Sequence, residues 1–295
     1  MDSILVVAEY ILTAALVFVV LALVCDLVVV TTKRAKQPEK VAVGATVTSQ
    51  VGTYERQKLP TGLALYATGF TFISFILTLA YLVIRMTQTG YGPFSNQHEF
   101  AVSFVLGILG AYLVAEYLWR VRILSLMVLP VAAALLLYSM TLDTTVQPLI
   151  PALQNNLLLT LHVGFAIAAY GAAAVSFGAA VLYLIYPNLK IRRLPPRDLF
   201  DDIGYKAATV TFPMLTIMIV LGAVWANTAW GRYWGWDPKE TAALVTWLIY
   251  GAYLHARVTR GWQGKRSAWL LIIGFAAVLF AYFGNHFFGG LHSYA

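Results

Sequence analysis

The stretch "WANTAWGRYWGWDPKETAALVTWLIYGAYLHAR" (residues 225–257) gathers five of the eight tryptophans in the chain. Between Trp230 and Trp236 the indoles alternate with glycines, and this segment lies between two apolar runs. The aromatic belt of a membrane protein explains one or two indoles at a helix end, but not three that are interleaved with glycines. The pattern instead predicts a flat, π-rich platform for a flat apolar ligand, which can come close where glycines leave the backbone uncovered.

The same stretch contains a helix start, "DPKE" at residues 237–240. Asp237 stands at the N-cap, Pro238 at the first helical position and Glu240 at the third, which is the arrangement of a capping box. We therefore predict that a helix begins at residue 238 and that Asp237 fixes where it starts.

The composition of the chain decides the fold class. Of 295 residues, 60% are hydrophobic and only 11% are charged, with a mean hydropathy of +0.74, whereas soluble domains carry about 25% charged residues. A bilayer-spanning helix needs about 20 mostly apolar residues. We therefore predict an all-α, polytopic membrane protein with about eight transmembrane helices. The candidate spans are 4–30, 61–84, 99–118, 123–141, 158–186, 208–229, 240–257 and 268–287.

Basic residues are divided unequally between the two sides of this arrangement. Seventeen of the twenty lysines and arginines fall in alternate loops and at the adjoining helix ends. These loops are 31–60, 119–122, 187–207 and 258–267, and the other side keeps Arg85, Arg232 and Lys239. The positive-inside rule then places the four loops in the cytoplasm and both termini outside. Because the net charge of +7 lies in these loops, it does not indicate a nucleic-acid partner.

The single cysteine, Cys25, lies inside the first apolar run, and the chain has no CxxC or CxxCH motif. This argues against a thiol oxidoreductase and against a covalent carrier of c-type haem. The first run has an acidic flank, Asp2 and Glu9, rather than the basic flank of a signal peptide. We interpret it as a retained helix.

Two of the five histidines are predicted on the same side as the tryptophan segment. His162 lies about one turn into span five, and His292 follows span eight. Because imidazole is a common axial ligand of haem iron, this pair beside the indoles suits a bis-His haem site. His98 and His286 lie on the same face, and their ordinary role is that of a polar residue with a hydrogen-bonding partner.

His255 stands apart, near the cytoplasmic end of span seven. It follows Pro238 by 17 residues, which is roughly 25 Å of helix, so one ligand cannot contact both ends. An ionisable side chain within a span is a candidate functional residue, although His255 is close enough to the inner surface to be solvated.

These residues carry a resemblance to a known family. "WGRYWGWDPKETAALVTWLIYGAYLHAR" is similar to the tryptophan-rich WWD signature of the haem-handling proteins of cytochrome c biogenesis. Within that superfamily it resembles the CcsA/ResC type of the system II pathway, called CcsB in actinobacteria. Three further segments resemble this family in the same order: "GPFSNQHEF", "LHVGFAIAAYG" and "GLHSYA". We therefore expect a cytochrome c assembly domain at 91–295, preceded at 1–90 by transmembrane helices and a basic cytoplasmic loop.

The resemblance implies a role for each matching position. His162 and His292 match the two external histidines that ligate haem iron. His255 matches a membrane-embedded histidine that meets haem on its way outward, with its counterpart ligand on a ResB-type partner subunit. The positions that match the platform are Trp225, Trp230, Trp234, Trp236 and Asp237. His98 and His286 match no ligand of the family.

The function implied by the resemblance is haem delivery. Such a chain moves or receives haem b from the inner half of the membrane, holds it outside and presents it to apocytochrome c, whose reduced CxxCH thiols add to the haem vinyl groups. Its partners would be a ResB-type subunit, apocytochrome c and a thioredoxin-like thiol reductant. Its location would be the plasma membrane, or the thylakoid membrane of a cyanobacterium or plastid. Catalysis would rest on positioning, as in a subunit of a cytochrome c synthase complex rather than a stand-alone enzyme.

Two other functions stay open at this point. An electron-transfer cytochrome b would pair its histidines at matching depths within the bilayer, whereas only His255 is predicted in the inner half. A transporter for an unrelated solute would have broken helices at mid-membrane, and the sequence shows no clear case.

Overall fold

The computed structural model of the chain describes residues 2–32, 60–146, 148–149, 151–154, 156–189, 191, 194–284 and 288–292. Within these ranges the chain forms eight α-helices and three short 3₁₀ helices, and no strand. The α-helices are α1 (Asp2–Thr32), α2 (Leu63–Thr89), α3 (Gln97–Trp119), α4 (Ser125–Ser139), α5 (Asn156–Ile185), α6 (Arg197–Trp230), α7 (Pro238–Arg260) and α8 (Lys265–Phe283). Each predicted span falls on one of these helices, and most of the basic loop predicted at 31–60 lies outside the described residues.

Seven helices in the described part of the chain are long and apolar enough to cross a membrane. They are α1 to α3, α4 together with the 3₁₀ turn before it (Arg122–Ser139), α5, α6 and α8. α7 has the length, because its 23 residues rise about 35 Å, but it is more polar and carries Arg257 and Arg260 in its last turn. The structure thus confirms an all-α, polytopic membrane protein. The crossing of the membrane by α7 and the side on which the termini lie stay predictions.

α6 begins earlier than hydropathy predicts, at Arg197 rather than at residue 208. Its first turns are polar, and Asp198 lies in the first turn, where a negative charge is favourable to the helix dipole. Hydropathy detects only the apolar part of such a helix. The polar part has a structural role, since Asp201 forms an ion pair with Arg257 near the C-terminal end of α7.

α5 occupies the middle of the bundle and packs against α3, α4, α6 and α8. Its backbone approaches α3 closely at two glycines. A Cβ on Gly171 would lie 2.2 Å from the carbonyl oxygen of Gly107, and a Cβ on Gly107 would lie 2.4 Å from that of Ile167. Small residues allow helix backbones to pack this closely in membranes. The contact holds α5 in register with α3 and so places His162, in the second turn of α5.

The short segment between α6 and α7 is fixed at both ends. α6 is followed by Gly231 in the left-handed conformation, with φ 73°. α7 begins at Pro238, as predicted. The Asp237 carboxylate accepts a hydrogen bond from the backbone N–H of Lys239 (2.9 Å), and the Glu240 carboxylate accepts one from the backbone N–H of Asp237 (3.2 Å). The predicted capping box is therefore confirmed.

Candidate haem-binding site

A cavity lies where α3, α5, α6, α7 and α8 meet the segment 288–292. Two imidazoles and several aromatic rings line it: His162, Tyr170, Trp225, Trp234, Tyr282 and His292. The structure therefore brings together His162 and His292, the two histidines predicted to act as a pair.

His162 is positioned by α5 and by the neighbouring helix α6. Its Nδ1 lies 2.8 Å from the backbone carbonyl oxygen of Met218. The ring fits against α6 because residue 222 is a glycine, since a Cβ on Gly222 would lie 2.7 Å from Cε1 of His162. On one side the imidazole stacks on the indole of Trp225, with ring centroids 6.4 Å apart and an interplanar angle of 13°.

His292 is held by the carboxylate that also caps α7. Its Nδ1 lies 2.8 Å from Oδ1 of Asp237. Oδ2 of the same carboxylate accepts a hydrogen bond from the backbone N–H of Leu291 at 2.6 Å. Gly290 makes this approach possible, since a Cβ there would lie 2.2 Å from Oδ2 of Asp237. Both oxygens of Asp237 thus fix the segment that carries His292.

Burial and hydrogen bonding set the charges of the Asp237–His292 pair. Burial opposes ionisation of Asp237, but hydrogen bonds from His292 and from the backbone N–H groups of Lys239 and Leu291 outweigh it and lower the pKa of Asp237 to about 2. Burial lowers the pKa of His292 below its ordinary value of 6.5, partly offset by the hydrogen bond to Asp237. At neutral pH the pair is a carboxylate and a neutral imidazole, which is the form of histidine that binds metals.

The two histidines offer the same nitrogen as a ligand. In each, Nδ1 faces an oxygen that accepts a hydrogen bond, so Nδ1 carries the proton and Nε2 carries the lone pair. In the described part of the chain, no group of three or more His, Cys, Asp or Glu side chains is placed to hold a bare metal ion. Two imidazoles among flat rings fit an iron whose other ligands come from a porphyrin.

Two tryptophans of the predicted platform contact the imidazoles. Trp225 is 2% exposed, and besides stacking on His162 it lies 5.7 Å from the ring of His292. Trp230, the last residue of α6, packs edge-on against both Trp225 (4.7 Å) and His292 (4.8 Å). These indoles therefore hold the rings of the two histidines.

The other two tryptophans lie in the segment between α6 and α7. Trp234 lines the cavity. Trp236 is 70% exposed, contacts Trp234 edge-on at 5.8 Å and has a positive φ of 56°. Trp236 does not line the cavity, and only Trp234 of this pair forms part of its wall.

Of the three remaining histidines, the two that the structure describes, His98 and His255, do not line the cavity. His98 is buried, and its ring nitrogens contact the hydroxyl of Tyr81 and the carbonyl oxygen of Ser139. This is the ordinary role of a polar residue with partners. His286 lies outside the described residues. His255 is exposed on α7, close to the end opposite the cavity.

Sequence reasoning missed several residues of this site. Lys239, Phe100 and Tyr170 line the cavity, and no motif marked their side chains as parts of a site. Asp237 was identified as a helix cap and a platform residue, but its bond to His292 joins residues 55 positions apart. Gly222 carried one weak signal, a glycine within an apolar span.

Comparisons with known proteins identify the family of the chain. Residues 94–292 match the family described as cytochrome C assembly protein. The chain is 35% identical over 254 residues to the cytochrome c biogenesis protein CcsA of Guillardia theta, covering 77% of this chain and 84% of the relative. It is 34% identical over 272 residues to CcsA of Gloeothece citriformis, covering 73% and 83%.

A solved structure has a similar fold. The cytochrome c haem lyase CcmF matches with a TM-score of 0.66 over 95% of this chain, at 16% sequence identity. At this low sequence identity the likeness concerns the fold alone. The chain spans 46% of the length of CcmF. Because the family match covers most of the chain and includes both cavity histidines, the chain belongs to the cytochrome C assembly protein family, together with the cytochrome c biogenesis proteins of the CcsA type.

Proposed function

We propose that this protein holds haem b at the cavity between His162 and His292 and presents it to apocytochrome c. The observation that carries the proposal is the matched pair of imidazoles. Both line one cavity, and both have Nδ1 engaged with a protein oxygen, at 2.8 Å in each case. Such a partner orients the ring and raises the basicity of Nε2.

The residues of the cavity would bind and orient the ring rather than react with it. Haem, when bound, supplies the iron for the two imidazoles and the vinyl groups to which the reduced thiols of a CxxCH segment add. Trp234 and Tyr170 provide flat and apolar walls. The contribution of the chain is then positioning, as in a subunit of a cytochrome c synthase complex, with a thioredoxin-like reductant keeping the thiols reduced.

His255 supports the second part of the proposal, a path for haem from the inner half of the membrane. It is exposed on α7, so its imidazole is open to a neighbouring subunit. We assign the second ligand there to a ResB-type partner.

The proposed orientation places the cavity outside the cytoplasm, in the plasma or thylakoid membrane. A reporter fused after Ala295 should be active only outside, and activity inside would overturn this orientation.

The experiment that tests the outer site compares the haem spectra of three variants. His162→Ala and His292→Ala should each lose the low-spin spectrum of the purified complex and impair formation of holocytochrome c. Added imidazole should partly restore both, because it fills the vacant axial position. His98→Asn is the control for loss of a buried histidine outside the cavity, and it should keep the low-spin spectrum.

Two results would contradict the proposal. A normal low-spin spectrum in both alanine variants without imidazole would show that the two histidines do not bind the iron. Rapid, reversible reduction of a stable haem by quinol would instead indicate an electron-transfer cytochrome b.

A further inference from the structure

Lys239 places a positive charge in the same cavity as the two imidazoles. It lies in the first turn of α7, is half-buried and lines the cavity. Its Nζ lies 4.9 Å from the ring centroid of Phe100, in a cation–π contact. A cation–π contact at a partly exposed site is weak, and a charge-assisted hydrogen bond from an ammonium to a carboxylate is stronger.

The carboxylates beside Lys239 form hydrogen bonds with other groups, Asp237 through both of its oxygens and Glu240 through Oε2. Asp237 accepts hydrogen bonds from the backbone N–H groups of Lys239 and Leu291 and from the imidazole of His292. Glu240 accepts the backbone N–H groups of Gly235 (2.8 Å) and Asp237 (3.2 Å). Within the described residues, the ammonium of Lys239 has neither a hydrogen bond nor an ion pair, so its charge is available to a ligand in the cavity.

The surroundings of Lys239 favour an anion. The cavity wall near Phe100 also includes Ser95, Asn96 and Gln97, at the N-terminus of α3. The N-terminus of a helix carries a partial positive charge, and α3 is 23 residues long. Lys239 itself stands at the N-terminus of α7. Two helix N-termini and one ammonium group therefore border the cavity, together with the carboxylate of Glu240, which is hydrogen-bonded to backbone N–H groups.

We propose that Lys239 binds a propionate carboxylate of the porphyrin ring. This inference rests on the proposed function, since it names the residue that sets the rotation of the ring between His162 and His292. Two axial ligands leave the ring free to rotate about the axis that joins them. In haem b the propionates and the vinyl groups lie on opposite edges of the ring. A propionate bound to Lys239 would therefore direct the vinyl edge away from the N-terminus of α7 and from Phe100.

The test uses two probes that differ only at the carboxylates: ferric protoporphyrin IX and its dimethyl ester. Both are titrated into the full-length complex in detergent, and binding is followed by the low-spin Soret band. Wild type should bind the diacid about tenfold more tightly than the diester, the usual size of one charge-assisted hydrogen bond. Lys239→Met should lose this preference while keeping the low-spin spectrum, and Lys239→Arg should retain it.

Two control variants isolate the position of the charge. Lys206→Met removes an exposed lysine that pairs with Asp202 far along α6, and it should keep the preference for the diacid. Arg232→Met removes an exposed arginine in the segment between α6 and α7, and this variant should also keep the preference for the diacid. A preference that survives in Lys239→Met, or that disappears in Arg232→Met, would overturn the assignment to Lys239.

The proposal and the proposed function fail in different ways. If His162→Ala and His292→Ala leave the low-spin spectrum intact, the axial assignment is wrong. If the spectrum depends on both histidines but wild type binds the diacid and the diester equally, only the assignment of the propionate to Lys239 is wrong.

Discussion

The two ends of α7 differ in the number of histidines that they bring together. At its N-terminal end, Asp237 caps the helix and holds His292, and a second imidazole lies across the same cavity. Towards its C-terminal end, His255 is exposed, while the neighbouring Arg257 is paired with Asp201 of α6. The first end brings two imidazoles to one cavity within one chain, and the second carries a single histidine on a helix that is ion-paired to α6.

This difference indicates what each end needs from other molecules. Under the proposed function, the cavity end would hold the haem ring by itself and would need a partner only to receive the haem. The end near His255 would need a second ligand from another subunit, because the chain has five histidines in all and the other four are predicted on the opposite side. The ion pair between Arg257 and Asp201 fixes this end of α7 against α6 and would keep the helix in place during contact with such a partner.

Removal of the imidazole of His255 has the largest expected effect. His255→Ala should fold normally but leave most of the outer sites of the complex without haem, because the path to the cavity is interrupted. The measurement is haem content per purified complex, with and without added imidazole, which should restore loading. Val258→Ala, a change at a nearby exposed position, is the control. Full haem content together with normal cytochrome c maturation in His255→Ala would exclude the path and leave only the outer site.

Changes at Asp237 separate its two roles at the cavity end. Asp237→Ala should lower haem affinity by about 10- to 100-fold, the usual effect of losing a residue that orients a metal ligand. It should also lower the free energy of unfolding by about 1 kcal/mol through loss of the helix cap. Asp237→Asn keeps a good N-cap residue, so it should lose haem affinity with little change in stability. Equal haem affinity in Asp237→Asn and wild type would show that the carboxylate does not support His292.

The smallest of these effects is expected at Gly222. Gly222→Ala places a methyl group against the imidazole of His162, whose Nδ1 is held by Met218, so the ring must shift. Haem affinity should fall by about tenfold, while the stability of α6 should be unchanged or slightly higher, because alanine favours helix more than glycine. Gly164→Ala, at a glycine of α5 with open space around it, should change neither the affinity nor the spectrum. A normal spectrum in Gly222→Ala would show that the position of the His162 ring is not critical.

Local sequence patterns predicted the fold well, but they could not predict contacts between segments that are distant in the sequence. The eight helices and the start of α7 follow from apolar runs and from a capping box within four residues. The bond between Asp237 and His292 depends on how the segment after α8 docks on α7. The indoles show the same limit: Trp225 and Trp236 look alike in the sequence, but one is buried and the other is exposed. Lys239 stands between the two carboxylates of the capping box in the sequence, and only the structure shows that these carboxylates bind other groups.

The oxygen that orients each cavity histidine lies far away along the chain, and this has a consequence for the order of synthesis. Met218 follows His162 by 56 positions, and Asp237 precedes His292 by 55. As the chain is made from its N-terminus, the pairing of α5 with α6 completes the first ligand, while the second must wait until α8 and the segment after it are in place. If the two histidines bind haem iron as proposed, an incomplete chain could supply only one of them, and binding by both would require the complete fold.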